Sequence, residues 1–231
     1  MKNLMLIFFT LTVTHAWAST PIEKTVYIDN IYVPDGYDSN DNVEVMVEGA
    51  LPNLCHKSPK VEVHKNGNEV NLKLTSLYYS AENYFCPPAI VPFLLTVNLG
   101  ILNKGEYKIT NGNLDGIKKD LKINEASTED IDDFIYANVD YLEKVRSEKN
   151  LIRLKGYHVS DCFELDHVDF STNKSDTVIV LPIMRQVSEF CPRKMMPFEY
   201  EVEVPSLVER GKILMHVRTM NGNSYNKLIE N

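Results

Sequence analysis

The chain has 231 residues, with 24 Lys or Arg against 32 Asp or Glu, for a formal charge of −8. This excess argues against nucleic acid and anionic membrane surfaces as partners, since both are bound by basic patches. Without residues 1–18 the balance is 23 basic to 32 acidic, or −9, because Lys2 is lost. The rest is long enough for one large domain or two of roughly 100 residues.

The N-terminus reads as a signal peptide over 1–18. Lys2 gives a positive start, residues 4–13 (LMLIFFTLTV) are apolar, and Ala16-Trp17-Ala18 has the A-x-A form of a cleavage site. The apolar run is short for a spanning helix, which leaves an uncleaved anchor as the lesser alternative. No later stretch approaches ~20 apolar residues. The expectation is a periplasmic or secreted chain starting at Ser19, with no transmembrane segment in its mature part.

Past the leader, period-two alternation dominates. Val43, Val45 and Val47 alternate with Glu44, Met46 and Glu48, and Phe198, Tyr200 and Val202 alternate with Glu199, Glu201 and Glu203. Such patterning puts one face on a core and the other in water. Predicted strands are 25–33, 42–50, 60–65, 69–77, 91–99, 105–111 and 115–123. Asn66-Gly67 marks a hairpin turn, and Asn111-Gly112 and Asn221-Gly222 mark further turns.

A repeat follows from the cysteines. Gly49 and Gly156 each precede a cysteine by six residues, Cys55 and Cys162. Cys86 and Cys191 follow inside a shared frame, FCPPAIVPF at 85–93 and FCPRKMMPF at 190–198. Duplication of one module is the economical explanation. Four cysteines allow three pairings, and the repeat favours Cys55–Cys86 with Cys162–Cys191. Residues 127–149 carry Ile131, Ile135, Val139 and Leu142 at helical spacing. However, Ile135–Val139 resembles Tyr27–Ile31, so an extended first strand of repeat two is expected. The boundaries are repeat one at 19–123, a linker at 124–133 and repeat two at 134–231.

Leu51-Pro52-Asn53-Leu54-Cys55, Cys86, Pro92-Phe93 and Leu102-Asn103-Lys104-Gly105-Glu106-Tyr107 resemble the immunoglobulin-like modules of secreted and periplasmic bacterial proteins, most of unassigned function. The resemblance implies an all-β chain of two tandem Ig-like antiparallel β-sandwich domains, one disulfide each, behind a cleaved signal peptide. It implies no reaction. Leu102–Tyr107 looks like a tyrosine corner, and repeat two has Ile213 in place of Tyr107. The cysteine spacing is shorter than in antibody domains, and the one Trp, Trp17, lies in the leader. That spacing suggests a staple from the end of the second strand to the entry of the fifth. Loops of about 30 residues correspond to about 3–4 kcal/mol each in the chain-entropy model.

Motifs for catalysis are missing. There is no G-x-S-x-G and no H-E-x-x-H, and the Gly100–Gly105 spacing lacks the Lys-Ser/Thr of a phosphate loop. A soft-metal site from the scattered His and Met residues is weaker than their use as packing. Asp35, Asp38, Asn40 and Asp41 form the best calcium candidate. Read as an EF-hand from Asp38, the stretch fails at Val43 and Gly49, and its residues are also ordinary turn formers. Glu199, Glu201 and Glu203 read as a solvated face.

The expectation is a non-enzymatic, cofactor-free binding or structural protein of the bacterial envelope. It would engage an envelope or extracellular protein or glycan through loops or sheet edges. The alternatives are an exported hydrolase or protease inhibitor, using Leu77–Ser80 or Arg193–Met196, and calcium-dependent binding through residues 35–42.

Overall fold

The computed structural model describes residues 20–79, 85–112, 116–146, 150–205 and 211–230. The expected leader, Ser80, Asn113 and residues 208–210 lie outside them. The described residues contain fifteen strands and no helix. In the N-terminal half these are β1 (Ile22–Thr25), β2 (Ile28–Tyr32), β3 (Val43–Leu51), β4 (His56–Asn66), β5 (Glu69–Tyr78), β6 (Val91–Gly100), β7 (Gly105–Thr110) and β8 (Lys118–Ile123). The C-terminal half has β9 (Asn138–Val145), β10 (Leu151–His158), β11 (Phe163–Thr172), β12 (Thr177–Gln186), β13 (Met196–Glu203), β14 (Lys212–Thr219) and β15 (Asn223–Glu230).

The two halves pair their strands alike. A three-stranded sheet, β2-β3-β6 or β9-β10-β13, faces a larger one, β4-β5-β7-β8 with β1 also on β5, or β11-β12-β14-β15. Each half has its own core. Val45, Val47 and Val97 meet Leu72, Ile109 and Leu121 in the first, and Leu142, Ile152 and Leu154 meet Val180, Met215 and Val217 in the second. The chain is therefore an all-β sandwich structure.

The expectation of wholly antiparallel sheets is corrected at one pair per half. β5 runs parallel to β7, and β12 parallel to β14. The intervening strand, β6 or β13, lies in the opposite sheet. It carries the chain back across the sandwich, so the strands on either side of it point the same way.

The predicted strand 25–33 is two strands. β1 pairs with β5, Val26 N–H donates to Leu74 O at 3.0 Å, and from Ile28 the chain pairs with β3 instead. The C-terminal half makes the same switch of sheet. Met184 N–H donates to Ile135 O at 2.7 Å and Ala137 N–H to Pro182 O at 2.9 Å, before β9 joins β10. The helix-like spacing of Val139 and Leu142 also has a cause here. Gly156 pairs with Val139 and Lys155 with Tyr141, so Asp140 is an extra residue. This bulge flips the side-chain parity and brings both apolar residues inward.

The aligned glycines are explained by the frame phenylalanines. Gly49 is the cross-strand partner of Phe93 and Gly156 that of Phe198. A Cβ on Gly49 would lie 2.7 Å from Phe93 Cζ, and one on Gly156 would lie 2.9 Å from Phe198 Cζ and 1.9 Å from Asn138 O. Each ring lies over the space a side chain would fill. Tyr107 hydroxyl donates to Asn103 O, four residues upstream, at 3.0 Å, the bond a tyrosine corner makes.

The outer face of β3 departs from expectation. Glu44, Met46 and Glu48 were expected in water, yet Met46 is fully buried. It packs with Tyr32 and Leu94 against Leu214 and Leu228 of the C-terminal half. The seam between the halves runs along this face.

Candidate functional site

Two regions collect the chain's chemically distinctive side chains: the seam, and the loops at the two disulfides. The seam is ionic at its margins. Lys212 pairs with Glu48, which also accepts from Tyr32 hydroxyl at 2.7 Å. Ser224 hydroxyl donates to Glu44, whose carboxyl is raised above the usual range by burial. Lys119 lies 2.8 Å from Asp176. Burial disfavours the Asp176 carboxylate, but Lys119 and Asn173 outweigh it and hold the group below the usual range.

The predicted calcium loop lies in this seam. Asp41 forms an ion pair with Arg218 of β14, both nearly buried. Its other oxygen accepts from Asp38 N–H at 2.9 Å. Asp38 accepts from Asn40 N–H at 3.2 Å, and burial raises its carboxyl. Asn40 donates to Thr128 O and Asp130 O, each at 2.9 Å, which ties the predicted linker down. Among the described residues Asp35 accepts only from the adjacent Gly36 N–H, at 2.9 Å, and is exposed. These oxygens therefore point to separate partners, and among the described residues no three His, Cys, Asp or Glu side chains gather as a metal-holding group.

The linker is also held from the C-terminal side. Asn221 and Gly222 N–H groups donate to Asp132 at 2.6 and 3.0 Å. Arg218 lies within 6 Å of two tyrosine rings, 5.6 Å from Tyr37 and 5.9 Å from Tyr136. Tyr37 hydroxyl lies 3.1 Å from Glu44 O and 3.4 Å from His216 Nε2. Burial pushes Tyr136 up to about 12. Sequence reasoning missed Arg218, His216 and Tyr37 as a group. A usable signal was present: a His inside the apolar run Ile213–Val217 and an Arg directly after it need buried partners.

The second region is the stapled loops. Cys55 bonds Cys86 across 31 residues, and Cys162 bonds Cys191 across 29. The first staple rests on Tyr78, whose hydroxyl lies 3.6 Å from Cys86 Sγ and whose ring lies 4.8 Å from His56 and 4.0 Å from Lys24 Nζ. Tyr79 N–H donates to Cys55 O at 2.9 Å. Leu77–Tyr79 is thus part of the staple's support. In the second loop Lys194 N–H donates to Val159 O at 3.0 Å and its ammonium lies 3.5 Å from Asp161. A groove of about 520 Å³ there is lined by Tyr157, Val159, Phe163, Arg193 and Met195.

Phe85 and Phe190, each preceding its staple cysteine, are 77% and 81% exposed. Ile90 and Met195, at the equivalent place four residues after it, are 75% and 68% exposed. These four side chains are large, apolar and in water.

A model of the ORF11 beta-sandwich domain matches residues 45–123. The match runs from β3 to β8, through the first staple, and fits the sandwich described above. No curated protein matches the chain, and no solved structure does.

Several of the histidines and methionines weighed as soft-metal ligands are packed or paired, and the acidic face of β13 is ion-paired. His158 stacks on Phe198 at 4.6 Å and bonds Tyr200 hydroxyl at 2.9 Å, with burial lowering its imidazole. His56 bonds Ser76 hydroxyl at 2.7 Å. Met184 and Met215 lie in the C-terminal core. Glu199 and Glu201, expected as a solvated face, flank Arg153 at 3.0 and 2.6 Å, with Glu143 at 2.8 Å and Lys155 3.2 Å from Glu199.

Proposed function

We propose that the chain is an exported, non-enzymatic binding protein of the bacterial envelope, built from two Ig-like repeats, whose stapled loops contact an envelope or extracellular macromolecule. The carrying observation is the equivalence of Phe85 with Phe190 and of Ile90 with Met195. The four residues between the prolines of the frame have diverged, PAIV against RKMM, yet each copy keeps two large apolar side chains in water on either side of its disulfide cysteine. Exposed apolar groups cost solubility, and those kept on a rigid support mark an interaction surface. The apolar leader and both disulfides support export.

Sheet edges suit the role less well than the loops. β4 is irregular where Ser58 takes φ 48° beside Pro59, and its register on β5 shifts between Lys57 and Lys60. β11 is bulged between Leu165 and His167 and carries Asp166 and Asp169. Both devices discourage strand addition.

The test is site-specific photo-crosslinking from Ile90 and from Met195 in the native envelope. Adducts of one defined macromolecule are expected, and they should vanish when Phe85 and Phe190 are replaced by Ser with the probe kept at position 90 or 195. Adducts that persist in the Ser variant, or turnover of a small molecule by the purified chain, would overturn the reading.

A further inference from the structure

The seam encloses one titratable base that the binding reading does not use. His216, on β14, is 1% exposed. Its Nδ1 lies 2.7 Å from Asn226 Oδ1. Asn226 is oriented by its own amide nitrogen, which donates to Ser224 hydroxyl at 2.7 Å and to Thr96 hydroxyl at 3.3 Å. Its oxygen therefore faces the ring, and Nδ1 carries the proton of the neutral imidazole. Nε2 is left as an acceptor facing Tyr37 hydroxyl, which belongs to the N-terminal half, at 3.4 Å. The two rings meet edge-on, with centroids 6.0 Å apart.

A second proton would have no counter-charge. Arg218 approaches from the same strand and is itself cationic. Asp41, from the 35–42 loop, already accepts from Arg218 and from Asp38 N–H. Asp132 of the linker lies 4.0 Å from Arg218 and accepts from two backbone amides. Glu44, from β3, presents its carbonyl to Tyr37 and its carboxylate to Ser224. Tyr37 and Tyr136 complete the surroundings and stay neutral, since burial raises both. An imidazolium here would be buried beside a guanidinium.

We propose that the seam is an acid-labile latch, in which protonation of His216 at Nε2 separates the C-terminal half from the Tyr37 loop and β3 while both halves stay folded. Each half keeps its own core and its own disulfide, so opening need not unfold either one. What opening exposes is the apolar strip of Tyr32, Met46, Leu94, Leu214 and Leu228. The sign follows from the depressed imidazole. Burial chiefly, with Arg218 adding and Asn226 opposing, lowers it from 6.5 to about 4. The open form regains an ordinary imidazole and binds the proton more readily. The closed form is therefore fully favoured above pH 6.5 and loses ground as pH falls toward 4. Across that window the opening equilibrium should shift about a hundredfold from this group alone.

The experiment uses the disulfide-bonded chain and its His216→Gln variant. Radius of gyration by small-angle scattering is followed from pH 7 to pH 4, with far-ultraviolet dichroism as the check on folding. The wild type should expand below about pH 5.5, at unchanged dichroism. His216→Gln, which cannot gain the charge, should expand at least about one pH unit lower, as the depressed Asp176 carboxylate that pairs with Lys119 is protonated; Glu44 and Asp38, raised in the closed form, oppose opening as pH falls. In parallel, the ring resonances of His216 should titrate with the same midpoint as the expansion, a readout that stands even if the variant does not fold. Equal midpoints in wild type and variant would overturn the proposal. So would a wild type that stays compact at pH 4, expansion together with lost dichroism, or His216 titrating with no expansion.

Discussion

The sheets β2-β3-β6 and β9-β10-β13 occupy equivalent places in the two halves, yet their outer faces have opposite fates. Register makes the comparison residue by residue. One row across the first sheet is Tyr32, Met46 and Thr96, and the matching row across the second is Glu143, Arg153 and Glu201. The next rows are Asn30, Glu48 and Leu94 against Tyr141, Lys155 and Glu199. The first face is apolar at its centre and acidic at its margins, and it is covered by β14 and β15 through Leu214, Leu228, Lys212 and Ser224. In the second, charges alternate in sign across the strands and satisfy one another in the open. Stacking one sandwich on the next could in principle continue indefinitely, as in repeat arrays. The ion-paired face ends it by making burial costly, as a polar capping face does.

The largest effect should come from breaking this contrast at its centre. Met46→Asp places a third carboxylate between Glu44 and Glu48 on a face that is fully buried at that point. An uncompensated buried charge costs about 3–5 kcal/mol, and the molecule is expected to avoid it by opening the seam. Thermal melting should lose most of its cooperativity and the radius of gyration should rise at neutral pH. Arg153→Met is the mirror substitution. It removes exposed ion pairs, which contribute little, so its melting temperature should stay close to wild type. Comparable losses in the two variants would show that the faces are not functionally different.

The glycines sharpen the comparison at the next level. Gly156→Ala drives a Cβ into the backbone oxygen of Asn138, because the bulge in β9 brings that oxygen to 1.9 Å of the ideal Cβ position. Backbone has to move, and a loss of about 3 kcal/mol is expected. Gly49→Ala meets chiefly the Phe93 ring, at 2.7 Å, and Tyr27 O at 3.1 Å. A ring can tilt, so about 1–2 kcal/mol is expected there. Urea unfolding of the two variants measures the difference, and a Gly49→Ala loss equal to or larger than that of Gly156→Ala would contradict the packing account.

Much of the sandwich was legible because it rests on local rules. Alternation in Val43–Val47 placed β3, and Asn66-Gly67 placed the turn between β4 and β5, with Gly67 at φ 58°. What stayed hidden depends on distant partners. Glu-x-Met-x-Glu on an outer face looks the same in sequence whether water or another sandwich lies against it, so the burial of Met46 could not be read. A bulge changes parity without changing composition, which made Val139 and Leu142 look helical. The parallel pairs follow from which sheet β6 and β13 join, and period two says nothing of that choice. The 35–42 loop was legible as a cluster of oxygen ligands but not as a partner of Arg218, 177 residues away.

The smallest effect belongs to a place where the halves differ by a single hydrogen bond. Tyr107 is 8% exposed, and its hydroxyl donates to Asn103 O across the turn that Gly105 opens at φ 158°. In the C-terminal half the frame gives Ile213, buried to 4% and without a hydroxyl. Tyr107→Phe keeps the ring and removes only the donor, leaving one carbonyl, part-buried, to find water. A loss of about 1 kcal/mol is expected, confined to the N-terminal half. Native-state hydrogen exchange can resolve this, because β7 and β8 amides should exchange faster while β14 and β15 amides keep wild-type rates. Faster exchange in both pairs of strands would mean that the seam couples the halves into one cooperative unit. In that case the corner would stabilise the whole molecule, and the bond lost at Asn103 would be felt as far away as Leu214.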